Sequence, residues 1–332
     1  MKPYSIDVQS HFLPREWIET LSRRHTYPYL TELSEDRWML HGSSFDALPY
    51  HARKAAVDID VKVKEMNEAG IDLTILSLSP PGPDVAADSR EREQLAKIAN
   101  DGIAEVVSRY PGRFRGVANL GFGDIEESRK ELTRCLDDLR FVGLQMYPFA
   151  RDGTGIENAC FRPLFKILSD RGLPLILHPG SPINPDYATF RTGSLMGYWF
   201  DDAMAMIKLI LSGLFDELPD LKVVCPHSWS LLPFLIDRID TQTARFSEFF
   251  GGTLRKTPGE YLRNVYTDCN NFSSDVLAFA VRKMGGVDRM MFGSDSPFVD
   301  SGFVANLVRE AIPSAEDRDK VFFGNARSLF RL

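Results

Sequence analysis

Short apolar runs that end on a ligand-type side chain recur along this 332-residue chain, and they constrain its fold more than any other feature. Ile6-Asp7-Val8 leads into Gln9-Ser10-His11, and Leu175-Ile176-Leu177 leads into His178. Val223-Val224-Cys225-Pro226 leads into His227, and Met291-Phe292-Gly293-Ser294 into Asp295. A residue at the end of a buried strand faces the carboxyl edge of a parallel sheet, where α/β folds assemble their sites. Polar residues at four such ends point to an enzyme.

Candidate strands fall at residues 5–8, 73–78, 114–120, 143–147, 175–177, 222–225, 265–269 and 289–292. Most are apolar on both faces, as parallel strands covered on both sides must be. Helical stripes occupy the intervals. Ile59, Val63 and Met66 precede Gly70, and Leu95, Ile98, Ala99, Ile103 and Val106 precede Pro111-Gly112. Leu132, Leu136 and Leu139 form a third stripe, and Phe161, Leu164, Phe165 and Leu168 a fourth that stops at Gly172. Ala203, Ile207, Ile210, Leu211 and Leu214 make a fifth. Asp58, Asp201 and Asp202 read as helix-start residues.

This alternation, with no break in composition, predicts a single domain over residues 1–332: an α/β chain folded as a distorted TIM (β/α)8 barrel. An open doubly wound sheet is the competing architecture. Ligand-type residues on strands one, five, six and eight suit an annular site better than a crevice. Two connections exceed ordinary turns and predict loop insertions after strands 1 and 5, at residues 12–55 and 180–200. Both are rich in aromatics, Trp199 among them, and both begin at the predicted active face.

A formal charge of −7 argues against a nucleic-acid partner. Four cysteines without CxxC spacing give no disulfide framework. No stretch reaches the ~20 apolar residues of a membrane span, and Met1-Lys2-Pro3-Tyr4-Ser5 enters the first strand with no apolar signal region. A cytoplasmic protein is expected.

Gln9 and His11 lie two apart on an extended segment, so they can converge on one point. Two imidazoles and a carboxylate suit a first-row divalent cation, which makes His11, His178 and Asp295 a three-ligand core. Gln9 is a weak or water-mediated fourth member. Zn2+ is the first expectation and Mn2+ the alternative. One histidine after a strand is ordinarily a hydrogen-bonded core residue; three histidines and an aspartate at four strand ends are a site. His25, His41 and His51 lack such placement and read as loop or surface residues. Asp7 reads either as a residue that orients a ligand or as a buried aspartate bonded to backbone.

At these residues the chain resembles the amidohydrolase superfamily. Within it, the chain is similar to the amidohydrolase-2 branch of aminocarboxymuconate-semialdehyde decarboxylase and the non-oxidative aromatic-acid decarboxylases. The likeness extends through Met66-Asn67-Glu68-Ala69-Gly70-Ile71-Asp72, Leu209-Ile210-Leu211-Ser212-Gly213-Leu214-Phe215-Asp216 and Leu218-Pro219-Asp220-Leu221-Lys222. It continues in Leu232-Pro233-Phe234-Leu235-Ile236-Asp237-Arg238-Ile239-Asp240, Gly293-Ser294-Asp295-Ser296-Pro297 and Gly324-Asn325-Ala326. The resemblance implies one divalent metal on His11, His178 and Asp295, with His227 as a nearby acid/base residue. It also implies a homodimer or larger assembly, in which Arg238 reaches the neighbouring subunit's site to meet a substrate carboxylate.

Three departures stand out. Gln9 replaces the first histidine of a His-x-His pair. Ser228-Trp229 replaces a glycine pair, and Trp229 is expected to narrow the pocket. The arginine that the muconate-semialdehyde decarboxylase carries in the first insertion has only Arg53 and Lys54 as neighbours here.

The leading expectation is a metal-dependent carboxy-lyase acting on an aromatic or enol-type carboxylic acid, with His227 or Asp295 as the proton donor. Metal-dependent hydrolysis of an amide, lactone or carbon–carbon bond is the alternative. Gln145 and Tyr147, where hydrolytic members often carry a lysine ligand, weigh against it, and Tyr147 is a candidate substrate contact. A barrel that has lost its metal and only binds a ligand is the third reading.

Overall fold

The computed structural model describes residues 4–34, 37–41, 50–79, 82–180, 187, 190–250 and 254–332. The strands among these residues are β1 (Ile6–Phe12), β2 (Tyr29–Ser34), β3 (Arg37–His41), β4 (Tyr50–Ala52), β5 (Leu73–Leu78), β6 (Phe114–Gly116), β7 (Leu144–Met146), β8 (Pro174–Leu177), β9 (Lys222–Cys225), β10 (Tyr266–Asp268) and β11 (Met290–Met291). Two all-parallel sheets, β1-β5-β6 and β11-β10-β9-β8-β7, form the ring. One seam joins β6 to β7 through Val142 N to Gly116 O (2.9 Å), Ala118 N to Gly143 O (2.9 Å) and Gln145 N to Ala118 O (3.0 Å). The other joins the last strand to the first through Val8 N to Phe292 O (2.9 Å), Asp295 N to Gln9 O (2.8 Å) and His11 N to Ser296 O (2.7 Å). The open-sheet alternative is thereby excluded. The fold is a distorted TIM barrel.

The interior is filled by Ile6, Val8, Leu73, Ile75, Val117, Val142, Ile176, Val224 and Met291, with Leu329 and Phe330 packed against them. Those last two belong to the helix Asn325–Phe330, which plugs the end opposite the site. A second, larger core joins the strands to the surrounding helices. Helices Ile59–Ala69 and Arg162–Arg171 end at Gly70 and Gly172, whose φ values of 79° and 61° are left-handed. Asp58 caps the first of these, as expected, by accepting from the backbone N–H groups of Asp60 and Val61. No described helix is long and apolar enough to cross a membrane.

The first insertion is not a loop. It folds into the helix Arg15–Ser22 and a three-stranded antiparallel sheet, β2-β3-β4, around a separate small core that includes Leu13, Trp17, Leu30 and Leu40. His41 lies in β3, stacked on Tyr29 at 4.2 Å. Much of the second insertion lies outside the described residues. Its end, Gly193–Gly197, forms a π-helical turn that runs into the helix Tyr198–Leu211.

Strand ends depart from the expected boundaries where the site begins. Gln9 and His11 belong to β1 rather than following it. Ile6 and Val8 fill the barrel, so strict alternation would turn Ser10 inward and His11 outward. A register shift between Asp7 and Ser10 corrects the phase and brings His11 opposite Ser77. Asp7 anchors that shift. Its carboxylate accepts from Ser294 Oγ at 2.5 Å and from the backbone N–H groups of Ser294 and Gln9 at 3.0 and 3.2 Å.

Candidate active site

The described residues bring together one cluster able to hold a cation: His11, His178 and Asp295, whose ligand atoms all lie within 4.8 Å of one another. His178 Nδ1 donates to the Pro179 carbonyl at 2.9 Å, which leaves a lone pair on Nε2. His11 Nδ1 lies 2.8 Å from Ser77 Oγ, and that hydroxyl is directed at the Ser10 carbonyl at 3.4 Å. His11 therefore donates from Nδ1 and keeps its lone pair on Nε2 as well. The two Nε2 atoms stand 3.0 and 3.6 Å from Asp295 Oδ1.

Three acceptors converging in this way repel one another unless a cation lies between them. Burial, reinforced by His178, holds the His11 pKa down to about 4, so the imidazole is neutral as a ligand must be. His178 Nε2 is buried without a hydrogen-bond partner among the described residues, and so is Gln9 Oε1. Gln9 Nε2 makes only a long contact, 3.5 Å, with Asp295 Oδ1. This donor set fits one divalent ion, with Gln9 beside it.

His227 follows β9 by one residue too many for simple alternation, and the backbone resolves the phase by force. His227, Ser228, Trp229 and Ser230 have φ of 57°, 55°, 61° and 53°, and Asp295 has 63°. Such runs of left-handed non-glycine residues are costly and gather at functional sites. The imidazole of His227 stacks on Trp199 at 5.7 Å with an interplanar angle of 10°. Its Nδ1 lies 3.4 Å from Asp202 Oδ2. Burial disfavours the imidazolium here, but Asp202, Asp268 and Asp295 outweigh it and raise the pKa to about 9.

Asp202 was hidden in the sequence, where it reads as a helix-start residue; it is fully buried within Tyr198–Leu211 and faces His227. Asp268, at the end of β10, accepts from the backbone N–H groups of His227 and Asn270, both at 2.9 Å. Lys62 is also buried, with Nζ donating to Ser10 Oγ at 2.8 Å and Ser296 Oγ at 3.3 Å across the closing seam. Its position between Ile59 and Met66 on the apolar stripe was the available signal.

The remaining predicted contacts divide. Tyr147 is buried beside the triad, its ring 6.4 Å from His178 and its hydroxyl accepting from Gln145 Nε2 at 3.3 Å. Arg53 reaches the Pro297 carbonyl at 3.1 Å, at the rim of the site. Trp229 does not narrow the mouth. Its indole N–H donates to the Val265 carbonyl at 3.0 Å, near the start of β10, and the ring packs in the strand–helix layer. The left-handed turn carries that ring away from the pocket. Arg238 lies exposed on the helix Leu232–Arg245, away from the triad.

Fold and site together define a metal-centred TIM-barrel enzyme, and the sequence matches the Amidohydrolase family model over residues 6–332. The chain belongs to that family. It is 32% identical over 293 residues to a gamma-resorcylate decarboxylase from Polaromonas sp. JS666, covering 84% of this chain and 90% of that protein. It is 27% identical over 335 residues to the 2-amino-3-carboxymuconate-6-semialdehyde decarboxylase of Dictyostelium discoideum, covering 98% and 91%. Among solved structures, a dihydroxybenzoic acid decarboxylase from Polaromonas sp. JS666 with bound manganese and the inhibitor 2-nitroresorcinol aligns at a TM-score of 0.81 and 28% identity, covering 99% of this chain and 97% of that one. All three bear the names of decarboxylases, in line with the leading expectation rather than the hydrolytic one.

Proposed function

We propose that this chain, folded as one domain over residues 1–332, is a cytoplasmic, homodimeric decarboxylase of a hydroxylated aromatic carboxylic acid. The observation that carries the reading is a ligand triad and a buried imidazole, His227, with its Nδ1 facing Asp202, sharing one barrel mouth. His11, His178 and Asp295 would hold a divalent cation, with Gln9 weakly engaged. Manganese in the Polaromonas structure favours Mn2+ over the Zn2+ that the ligand types first suggest. When bound, the cation supplies Lewis acidity that draws electron density from an oxygen substituent of the substrate.

The protein's own groups do the rest. Trp199 and Tyr147 present aromatic walls to a ring, while Arg53 and the Arg238 of a partner subunit meet the carboxylate. Asp295 is committed to the triad and has no proton to give. His227, with Nδ1 turned to Asp202, donates from Nε2 to the carbon bearing the carboxylate. The bond to the carboxyl carbon then breaks, its electron pair returns to the ring, and carbon dioxide leaves. One proton is consumed for each carboxylate lost, and solvent restores it to the imidazole.

The test is carbon dioxide release from a panel of mono- and dihydroxybenzoates by protein loaded with Mn2+ or Zn2+, with elemental analysis alongside. Turnover that falls at least about a thousandfold in His178→Ala and Asp295→Ala is expected. Metal-replete protein that turns over none of the panel, or variants that retain activity, would overturn the reading.

A further inference from the structure

The carboxylate of Asp202 is fully buried, and neither of its oxygens has a hydrogen-bond partner among the described residues. A buried carboxylate that serves only structure ordinarily takes backbone N–H donors, as Asp7 and Asp268 do. Asp202 takes none. The nearest cationic group is His227 Nδ1, at 3.4 Å. Three positions earlier on the same helix, and so on the same face, Trp199 lies flat against the imidazole. Among the described residues, the other charged groups that act on this pair are Asp268 from β10, whose carboxylate holds the His227 backbone N–H, and His178 and Asp295 from the ends of β8 and β11.

We propose that Asp202 is the positioning residue for His227: it accepts the Nδ1–H, fixes the ring against Trp199, and so commits Nε2–H as the proton delivered to substrate. This rests on the decarboxylase reading only for the identity of the proton's acceptor. Burial raises the Asp202 pKa and the facing imidazolium works against that rise, so the pair holds its proton on the His227 side. The imidazolium loses its Nε2 proton to the substrate carbon, keeps its Nδ1–H on Asp202, and takes a new proton from solvent. The device joins the helix after the second insertion to the turn after β9.

The experiment uses full-length, Zn2+-loaded protein carrying histidine labelled at the ring carbons and nitrogens, with His227→Gln to assign the resonance. In Asp202→Asn, the His227 titration is expected to move down by at least one pH unit. Metal stoichiometry should hold, KM should stay within about threefold, and kcat should fall by about 100-fold or more. Asp202→Glu should recover part of both the titration and kcat. An unchanged His227 titration in the Asn variant overturns the proposal, and so does an unchanged kcat. If the Asn variant does not fold, the wild-type ring alone decides: neutral His227 protonated on Nδ1 supports the assignment, and neutral His227 protonated on Nε2 overturns it. The resonance needs no turnover, so failure on every hydroxybenzoate would sink the decarboxylase reading and leave this one standing.

Discussion

Left-handed backbone falls on the residues that the chemistry would use, His227 and Asp295, and on the three positions after His227. The glycine pair expected after His227 now has a physical reason. Glycine adopts φ near 55° without penalty, whereas Ser228 and Trp229 do not. Ser228→Gly is expected to stabilise the protein by about 1 kcal/mol, seen as a rise of about 2 °C in Tm by calorimetry; a lower Tm would refute the strain argument. Gln9 offers a buried amide oxygen where an imidazole would coordinate better. Gln9→His is expected to tighten metal binding about tenfold in chelator competition, and no change would place Gln9 outside the coordination sphere.

At this scale His11, His178 and Asp295 were legible because each ends an apolar run. Asp202 was not, because an acidic residue near a helix start is ordinarily explained by the helix alone. Trp229 was misread because its orientation depends on a turn conformation that residue types without glycine do not announce.

Among elements, the strands and helices were readable from apolar runs and 3.6-residue stripes, and the segments at 73–78 and 222–225 match their observed strands end to end. The β1 register shift was not readable, since it leaves no mark on the apolar pattern. The sheet β2-β3-β4 was missed because β2 and β3 are half exposed and mixed in polarity, as in Thr31-Glu32-Leu33-Ser34. The short turn Pro83–Val85, after β5, carries a further buried acid, Asp84. Burial raises its pKa to about 7, against the pull of Arg92. Its folded pKa exceeds the unfolded value, so the folded state binds more protons, and stability falls as pH rises from about 4 through about 7. Asp84→Asn should remove that loss. Its Tm advantage over the wild type is expected to grow between pH 5 and pH 8, and an advantage that shrinks over that range would contradict the assignment.

For the molecule as a whole, exposed Arg238 and the exposed Phe234 four residues before it lie on the outer face of one helix. A dimer that shares this face makes each site depend on two chains. Arg238→Ala and His227→Ala should each be nearly inactive alone. Refolding the two together is expected to restore about a quarter of wild-type activity, because one of the two sites in a mixed dimer regains both residues. No recovery, or monomers in light scattering, would remove Arg238 from the mechanism.

The closing seam between the first and last strands has a consequence for synthesis. His11 and Asp295 are 284 positions apart in the chain, so a nascent polypeptide carries two members of the triad long before the third emerges from the ribosome. Two imidazoles on an unclosed ring grip a cation poorly. Loading of a cation on this triad would therefore wait until the last barrel strand has emerged, and a bound ion would certify that the ring has shut.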